Sequence, residues 1–396
     1  MKVDLAIVGA GPAGAASALG ALREDPSLEV ALLDRARFPR DKACGDGVAP
    51  QVIDLLESAG VRGVTDGLVP VHRLRLNRGT TEVEREMARP AWVVARTLFD
   101  QRLVTAAADA GGRVLHERVR TLRQRPGTVV LDDELEARIV IAADGAHSVV
   151  RRALGHPKGP TALALRGYAP TSGGRTGAQV IAFGSERQPS YAWSFDRGDG
   201  TANVGYGELL TARRPAPSRQ QLLERLEQLL PGASAGASNW RGHPLPLSGW
   251  TGPALGAQRV LLTGDAAGLV NPMTGEGIYY AVATGLLAGR SAAESLRADG
   301  GRTAVDRYSR AVRRELARHL KHTAVAARLC LSGRVLDAGI RAAAREQRVF
   351  DDLTELGLAK GRITVPMSCA LVGSMVGSLA GQPRASTHQK EQPCEY

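Results

Sequence analysis

Cysteine is scarce in this chain of 396 residues, occurring only as Cys44, Cys330, Cys369 and Cys394. None forms a C-x-x-C pair and no histidine or cysteine stands at metal-ligand spacing, so neither a disulfide framework nor a metal site is expected. Aromatic residues make up only 4% of the chain and the arginines are scattered, which leaves no base-stacking platform and excludes nucleic acid as an expected partner. No secretory leader is expected either. Met1-Lys2 runs straight into "VDLAIVGAG" with no long apolar stretch or cleavage site, which predicts a cytoplasmic protein in a reducing setting. Long apolar runs are also missing. The nearest is 363–383, uncharged and containing "VPMSCALVGSMVGSLAG", but Pro366, its glycines and its serines weaken it as a membrane span. The expectation there is a packed helix or a lid over an apolar site, with peripheral contact at the inner face of a membrane.

What is abundant is positive charge. Lys and Arg total 51 against 40 Asp and Glu, a formal net charge of +11, which favours phosphates, an anionic membrane surface or acidic partners. With 43% hydrophobic residues the chain can bury a large core, and its length suits two or three domains.

Periodicity orders the chain. An apolar run at 2–9, a glycine turn, the small-residue helix "PAGAASALGALRE" and a second apolar run "EVALLD" give strand, loop, helix, strand, a βαβ unit with parallel strands. "PQVIDLLESAG" and 98–111 read as helices, while "HRLRLNRG", "TEVEREMARPAWVVAR" and "ARIVIAAD" read as strands. Between Thr161 and Gly207 turn glycines and apolar positions predict an antiparallel sheet, followed by a helix capped by Ser218, lined by Leu222, Leu223, Leu226, Leu229 and Leu230, and ended by Pro231-Gly232. From about 302 to 359 the chain is helical and basic, and the polar tail is expected to be disordered.

Three motifs point to a nucleotide cofactor. In Gly9-Ala10-Gly11-Pro12-Ala13-Gly14 the glycines permit a tight turn and close approach of backbone to a pyrophosphate, which then sits at a helix N-terminus. Asp34, twenty residues beyond Gly14, is placed to accept from an adenosine ribose, with Arg35 beside it. This motif leaves NAD and FAD open. The second stretch, "RVLLTGDAAGLVNPMTGEGI", places Gly264-Asp265 after a strand and Pro272, Gly275, Glu276, Gly277 and Ile278 at a helix start. It resembles the FAD-dependent oxidoreductases of the glutathione reductase and aromatic hydroxylase type. The resemblance implies FAD, with Asp265 at the ribityl chain and the 275–277 helix start at the flavin edge, where a helix N-terminus stabilises the anionic reduced ring. The third, "ARIVIAADGAHSVVRRALG", resembles the Asp-Gly motif of the hydroxylase folds through Asp144, Gly145, Ser148 and Arg151. Arg96 is similar to the arginine that these proteins set near the FAD phosphates or ribityl chain.

The stretch "FPRDKACGDGVAP" is more specific. With Pro39, Lys42, Cys44 and Gly45 it resembles the P-x-x-K-x-C-G segment of the geranylgeranyl reductase family. The second family pattern, Tyr-x-Trp-x-Phe-Pro followed by Gly-x-Gly, matches Tyr191, Trp193, Phe195, Gly205 and Gly207, with Asp196 in place of proline. The resemblance covers roughly 1–300. It implies an isoprenoid chain flanked by aromatic side chains, with Cys44, Tyr191 and Trp193 at the reacting end. Cys44 has three readings: loop positioning or proton relay, direct proton donor, or an inert buried thiol. Arg40 and Lys42 would favour its thiolate.

The expected fold is α/β: an FAD-binding Rossmann-type unit (1–70, 97–160, 258–300), an inserted, mostly antiparallel substrate-binding sheet (71–96, 161–257), C-terminal helices (301–381) and a disordered tail (382–396). The expected cofactor-binding residues are Gly9, Gly11, Pro12, Ala13, Gly14, Asp34, Arg35, Lys42, Cys44, Gly45, Arg96, Asp144, Gly264, Asp265, Gly275, Gly277 and Ile278. Tyr191, Trp193, Phe195, Gly205 and Gly207 are expected to bind substrate. The expected activity is reduction of carbon–carbon double bonds in a prenyl diphosphate, prenyl lipid or prenylated quinone. The alternative is an FAD-dependent monooxygenase or epoxidase acting on a terpenoid or aromatic. No W-x-W-x-x-P stretch supports a halogenase, and three intact cofactor motifs argue against a scaffold. With no second glycine-rich motif, the reductant is expected to be NAD(P)H visiting transiently or a ferredoxin, which a basic surface would suit.

Overall fold

The structure is a computed structural model, and it describes residues 1–380 apart from 186, 187, 189, 212, 213, 250 and 251. The expected disordered tail therefore lies outside the described residues.

The chain opens with β1 (Lys2–Val8), α1 (Pro12–Glu24), β2 (Val30–Asp34), β3 (Gly47–Val48), α2 (Pro50–Ser58), β4 (Val71–Arg78), β5 (Thr81–Val93) and α3 (Arg96–Asp109). It continues through β6 (Arg113–His116), β7 (Leu122–Arg125), β8 (Thr128–Leu131), β9 (Leu135–Ala142), α4 (Val149–Ala153), β10 (Thr161–Pro170), β11 (Ala178–Phe183), β12 (Ser190–Asp196) and β13 (Thr201–Leu209). After α5 (Arg219–Leu229), β14 (Ser238–Pro246), β15 (Gly256–Ala257) and β16 (Val260–Leu262) come α6 (Ile278–Asp299), α7 (Ala304–Leu329), α8 (Gly333–Arg345), α9 (Gln347–Leu358) and α10 (Val365–Ala380).

The first sheet holds the parallel order β16-β9-β1-β2-β6, with β15 at one edge and the β7–β8 hairpin attached to β9. The central strands β1, β2 and β9 bury successive residues, so both of their faces are covered. The largest core cluster joins Leu5, Ile7, Leu32, Ile139, Ile141 and Leu262 to residues of α1, α3, α6 and α7. Small residues bring α1 and α6 together: a methyl on Gly289 would lie 1.9 Å from the Ser17 carbonyl oxygen, and one on Gly285 2.4 Å from that of Ala13. These glycines fix how closely the two helices approach.

The second sheet runs β14-β10-β13-β12-β11-β4-β5-β3. All its pairings are antiparallel except one, since β11 runs parallel to β4 with Ile181 opposite Leu76. The chain returns to this sheet after the long excursion through β6–β9, so β11 reaches β4 by a crossover that no local turn could make. β3, inside the segment 1–70 expected in the nucleotide-binding unit, pairs with β5 of this sheet instead. Ser218 caps α5 in a capping box with Gln221, and Leu222 and Leu226 bury its inner face against the sheet.

Candidate active site

One cavity of about 1610 Å³ runs from the Gly9–Ala13 loop, past Cys44 and β12, to α8, α9 and α10. That exceeds the roughly 300–1,000 Å³ of an ordinary ligand pocket and leaves room for a dinucleotide and an elongated second molecule.

At the glycine-loop end, β1 delivers its last residue to the turn. Gly9 has a φ of 97°, and a side chain there would meet the Ala143 oxygen at 2.4 Å. Gly14 packs on the Gly9 carbonyl and, with Gly264, does not line the cavity; both serve the packing of the turn instead. No side chain caps α1, so its first N–H groups open where Gly11, Pro12 and Ala13 form the wall. Asp34 ends β2 and accepts from the N–H groups of Ala10 and Ala36, each at 2.9 Å, which fixes the carboxylate at the turn. Arg35, Gly145, Gly275, Gly277 and Ile278 also line the wall. Asp144 accepts from Val149 N–H at 2.7 Å, while its Oδ1 is buried without a partner. Ser148 caps α4, and Arg151 ties that turn to the carbonyls of Ala146 and Ala266.

The basic pair in the Cys44 loop does not serve the thiol. Arg40 pairs with Asp100 at 2.9 Å, and Lys42 with Asp265 at 3.2 Å. Burial pushes the Cys44 thiol above its ordinary value; Arg96 pulls it down, and Asp46 and Glu276 push it further up. The expectation of a favoured thiolate is thereby corrected: both cations find carboxylates, and Cys44 faces the cavity as a thiol. Burial works against the charge of Arg96, but the bidentate bond to Asp100, at 2.7 and 2.9 Å, more than offsets it. Burial likewise opposes ionisation of Asp265, and Lys42 together with His243 outweighs it.

Across the cavity β12 presents every second side chain on one face, so Tyr191, Trp193 and Phe195 form a row, with Phe183 of β11 paired to Tyr191. Successive ring centroids stand 6.0, 5.9 and 6.4 Å apart from Phe183 to Phe195. Tyr191 donates to the Thr274 carbonyl, joining the row to the loop before α6. Gly45 lies under it, 3.4 Å of van der Waals room separating its absent side chain from Phe195. Gly207 lines the cavity; Gly205 does not, and its contribution is to seat Trp193, because a methyl there would fall 2.3 Å from the indole.

Several residues of this site escaped the sequence reading. Asn203 accepts from the Trp193 indole at 2.8 Å and donates to the Cys44 carbonyl and to Asp46, at 2.8 and 2.9 Å. Tyr168 also donates to Asp46, at 2.5 Å. Asp46 adopts a φ of 61°, a conformation Asp tolerates better than most residues. Burial lifts its carboxyl to about 6. Asp196, standing where the family pattern has proline, is buried and accepts from Thr171, Gly177 and Gly198, so the loops at this end of β12 are held by hydrogen bonds. The signal for Asn203 was one amide among glycines in "TANVGYG"; its partner lies 157 residues away.

A glycine turn before an uncapped helix, with an acid at the end of the next strand, is the arrangement of a dinucleotide-binding protein, here opening on an aromatic-walled cavity. The sequence matches the model of the FAD binding domain family over residues 2–323, and the chain belongs to that family, with FAD as its cofactor. It is similar to the menaquinone reductase of Mycolicibacterium smegmatis, 36% identical over 72% of this chain and 75% of that protein. It is 32% identical to a digeranylgeranylglycerophospholipid reductase of Methanothermobacter thermautotrophicus, over 80% of this chain and 83% of that one. Among solved structures, a geranylgeranyl bacteriochlorophyll reductase-like protein from Thermoplasma acidophilum shares the fold, with a TM-score of 0.76 at 20% identity, covering 96% of this chain and 98% of that one.

Proposed function

We propose that this protein is an FAD-dependent reductase that saturates carbon–carbon double bonds of an isoprenoid chain, carried on a quinone, a lipid or a diphosphate. The observation that carries this reading is the continuity of one cavity from the glycine loop past the β12 aromatic row to the apolar residues Ile340, Leu353, Leu356 and Met367. Bound FAD, once reduced, supplies the hydride that the alkene accepts. Gly9, Gly11, Pro12, Ala13, Asp34 and Arg35 would hold its nucleotide half, with Gly14 packing the turn behind them; Lys42, Cys44, Gly45, Arg96, Asp144, Asp265, Gly275, Gly277 and Ile278 would hold the ribityl–flavin half, with Gly264 packed against Ala13 and Ala281. Tyr191, Trp193 and Phe195 bind and orient the chain edge-on, Gly205 and Gly207 shape the strand beneath them, and the apolar wall excludes water. Reducing equivalents would come from NAD(P)H or a ferredoxin binding transiently at the basic surface. Among the described residues no helix is long and apolar enough to cross a membrane. The proposed route to a lipid-borne substrate is peripheral contact.

The test is mass spectrometry of products from prenylated quinones, prenyl lipids and prenyl diphosphates, with dithionite-reduced enzyme under nitrogen and with NADPH in air. Gain of hydrogen pairs without oxygen is expected. Gain of a single oxygen atom only in air would overturn the reading in favour of a monooxygenase.

A further inference from the structure

Saturating an alkene needs a proton as well as a hydride, and the cavity wall carries three half-buried protic groups drawn from three parts of the chain. Cys44 comes from the loop after β2, Tyr191 from β12, and Glu276 from the turn before α6; all three line the cavity. They act on one another electrostatically. Glu276 raises the pKa of both Cys44 and Tyr191, and Cys44 raises that of Tyr191. A methyl on Gly275 would meet the Tyr191 hydroxyl at 3.4 Å, which sets that hydroxyl against the residue preceding Glu276.

Resting on the reductase reading above, we propose that the Glu276 carboxyl is the acid that protonates the second alkene carbon. One alkene carbon takes hydride, and with it both electrons, from reduced flavin. At the other carbon the Glu276 O–H bond breaks as a C–H bond forms and the π bond is consumed. The carboxylate then regains a proton from solvent, and NAD(P)H or ferredoxin restores the reduced flavin.

The other two groups suit the role less well. The Tyr191 proton is engaged by the Thr274 carbonyl, and burial makes the hydroxyl a weaker acid still. Burial likewise keeps the Cys44 thiol protonated and reluctant to release its proton. Glu276 is held in place by the Tyr279 N–H at 2.9 Å. Burial raises its carboxyl to about 7, opposed by the N–H groups of Tyr279 and Ile278 and by Arg96, and aided by Asp265. The facing charges are thus Arg96 from α3 and Asp265 from the turn after β16, with the hydroxyls of Tyr191 and Tyr280 on β12 and α6. An acid that titrates near neutrality both donates readily and recovers its proton. Asp46, a buried acid of the same cavity whose carboxyl is also raised, is occupied by Tyr168 and Asn203 and clamps the Cys44 loop.

The test compares wild type, Glu276→Gln, Glu276→Asp and Asp46→Asn as FAD-loaded enzymes. Wild-type single-turnover reduction from the dithionite-reduced state should fall with rising pH through an apparent pKa near 7. Glu276→Gln should slow that step at least a hundredfold at pH 6 and erase the limb, while Glu276→Asp retains part of the rate. A readout independent of turnover comes from infrared spectroscopy: a protonated-carboxyl stretch titrating near pH 7 should vanish in Glu276→Gln with flavin absorbance intact. The wild-type contribution of this group to stability is present below the ordinary glutamate value and lost as pH rises through 7. The melting temperature of Glu276→Gln relative to wild type should therefore be higher at pH 8 than at pH 5. An unchanged limb in Glu276→Gln, or its loss in Asp46→Asn alone, overturns the proposal while leaving the reductase intact. Failure of wild type to hydrogenate any prenyl substrate overturns the reductase reading itself.

Discussion

At position 205 the absence of a side chain decides where the Trp193 ring lies. A methyl there would stand 2.3 Å from both the indole and the Leu165 carbonyl oxygen. The backbone oxygen cannot yield, so the ring must rotate, and the bond from its N–H to Asn203 at 2.8 Å breaks with it. Gly205→Ala is therefore expected to cost about 1–3 kcal/mol from overpacking. It should also raise KM for prenyl substrates, as the aromatic row loses its middle member. Because Asn203 also holds the Cys44 carbonyl, the disturbance should reach the Cys44 loop. Denaturation curves and steady-state kinetics check both; a variant with wild-type KM would show that the Trp193 seat does not shape the substrate site.

Helices α1 and α6 depend on a similar contact at larger scale. The uncapped end of α1 opens on the glycine-turn end of the cavity, and its distance from α6 is set where Gly289 and Gly285 meet the Ser17 and Ala13 carbonyls. Gly289→Val would push a branched side chain into backbone, an expected loss of about 3 kcal/mol or more. FAD retention on gel filtration should fall with it, although position 289 is remote from the glycine turn in sequence. Unchanged FAD content would show that the turn keeps its shape without α6. These elements were legible in the sequence because their signals are local: apolar runs of strand length, a glycine turn, small residues at helical spacing. What stayed hidden depends on partners far along the chain. The parallel pairing of β4 with β11 joins segments about a hundred residues apart. Lys42 finds Asp265 223 residues away, which is why its proximity to Cys44 in sequence misled about the thiol. The aromatic row was visible as alternate residues of one strand, whereas the network binding it to Cys44 was not. Glu276 was visible only as part of a helix-start motif; its place in one cavity wall with Cys44 and Tyr191 follows from the fold.

Over the whole molecule, the excess of 51 basic over 40 acidic residues acquires meaning from where the cavity reaches the surface. Leu329 and Val372 both line the cavity and stand 43% and 60% exposed, so it opens between the end of α7 and α10. Around that opening lie two apolar stripes at helical spacing: Val325 and Leu329 on α7, continuing the line of exposed Lys321, and Val365, Val372 and Val376 on α10. On the peripheral contact proposed above, this rim of valine and leucine, with exposed Lys321 on α7, Arg334 on α8 and Arg362 before α10, would face an anionic bilayer. From such a surface a prenyl chain could pass into the cavity without crossing water. FAD-loaded protein should co-sediment with vesicles containing phosphatidylglycerol, less with phosphatidylcholine alone, and less again as salt rises, since exposed charges are screened over about 8–10 Å at physiological ionic strength. Each basic side chain near the headgroups contributes roughly 1 kcal/mol, and each valine that enters the interface adds apolar burial at roughly 25 cal/mol per Å². The double variant Val365→Asp with Val376→Asp lies outside the cavity wall, and it should weaken vesicle binding at least tenfold. Its turnover of a vesicle-borne prenylated quinone should fall in parallel, while reduction of a short, detergent-soluble prenyl substrate stays at the wild-type rate. Equal loss on both substrates would assign the α10 stripe to holding the cavity together, and equal vesicle binding by the variant would remove the rim as the contact surface.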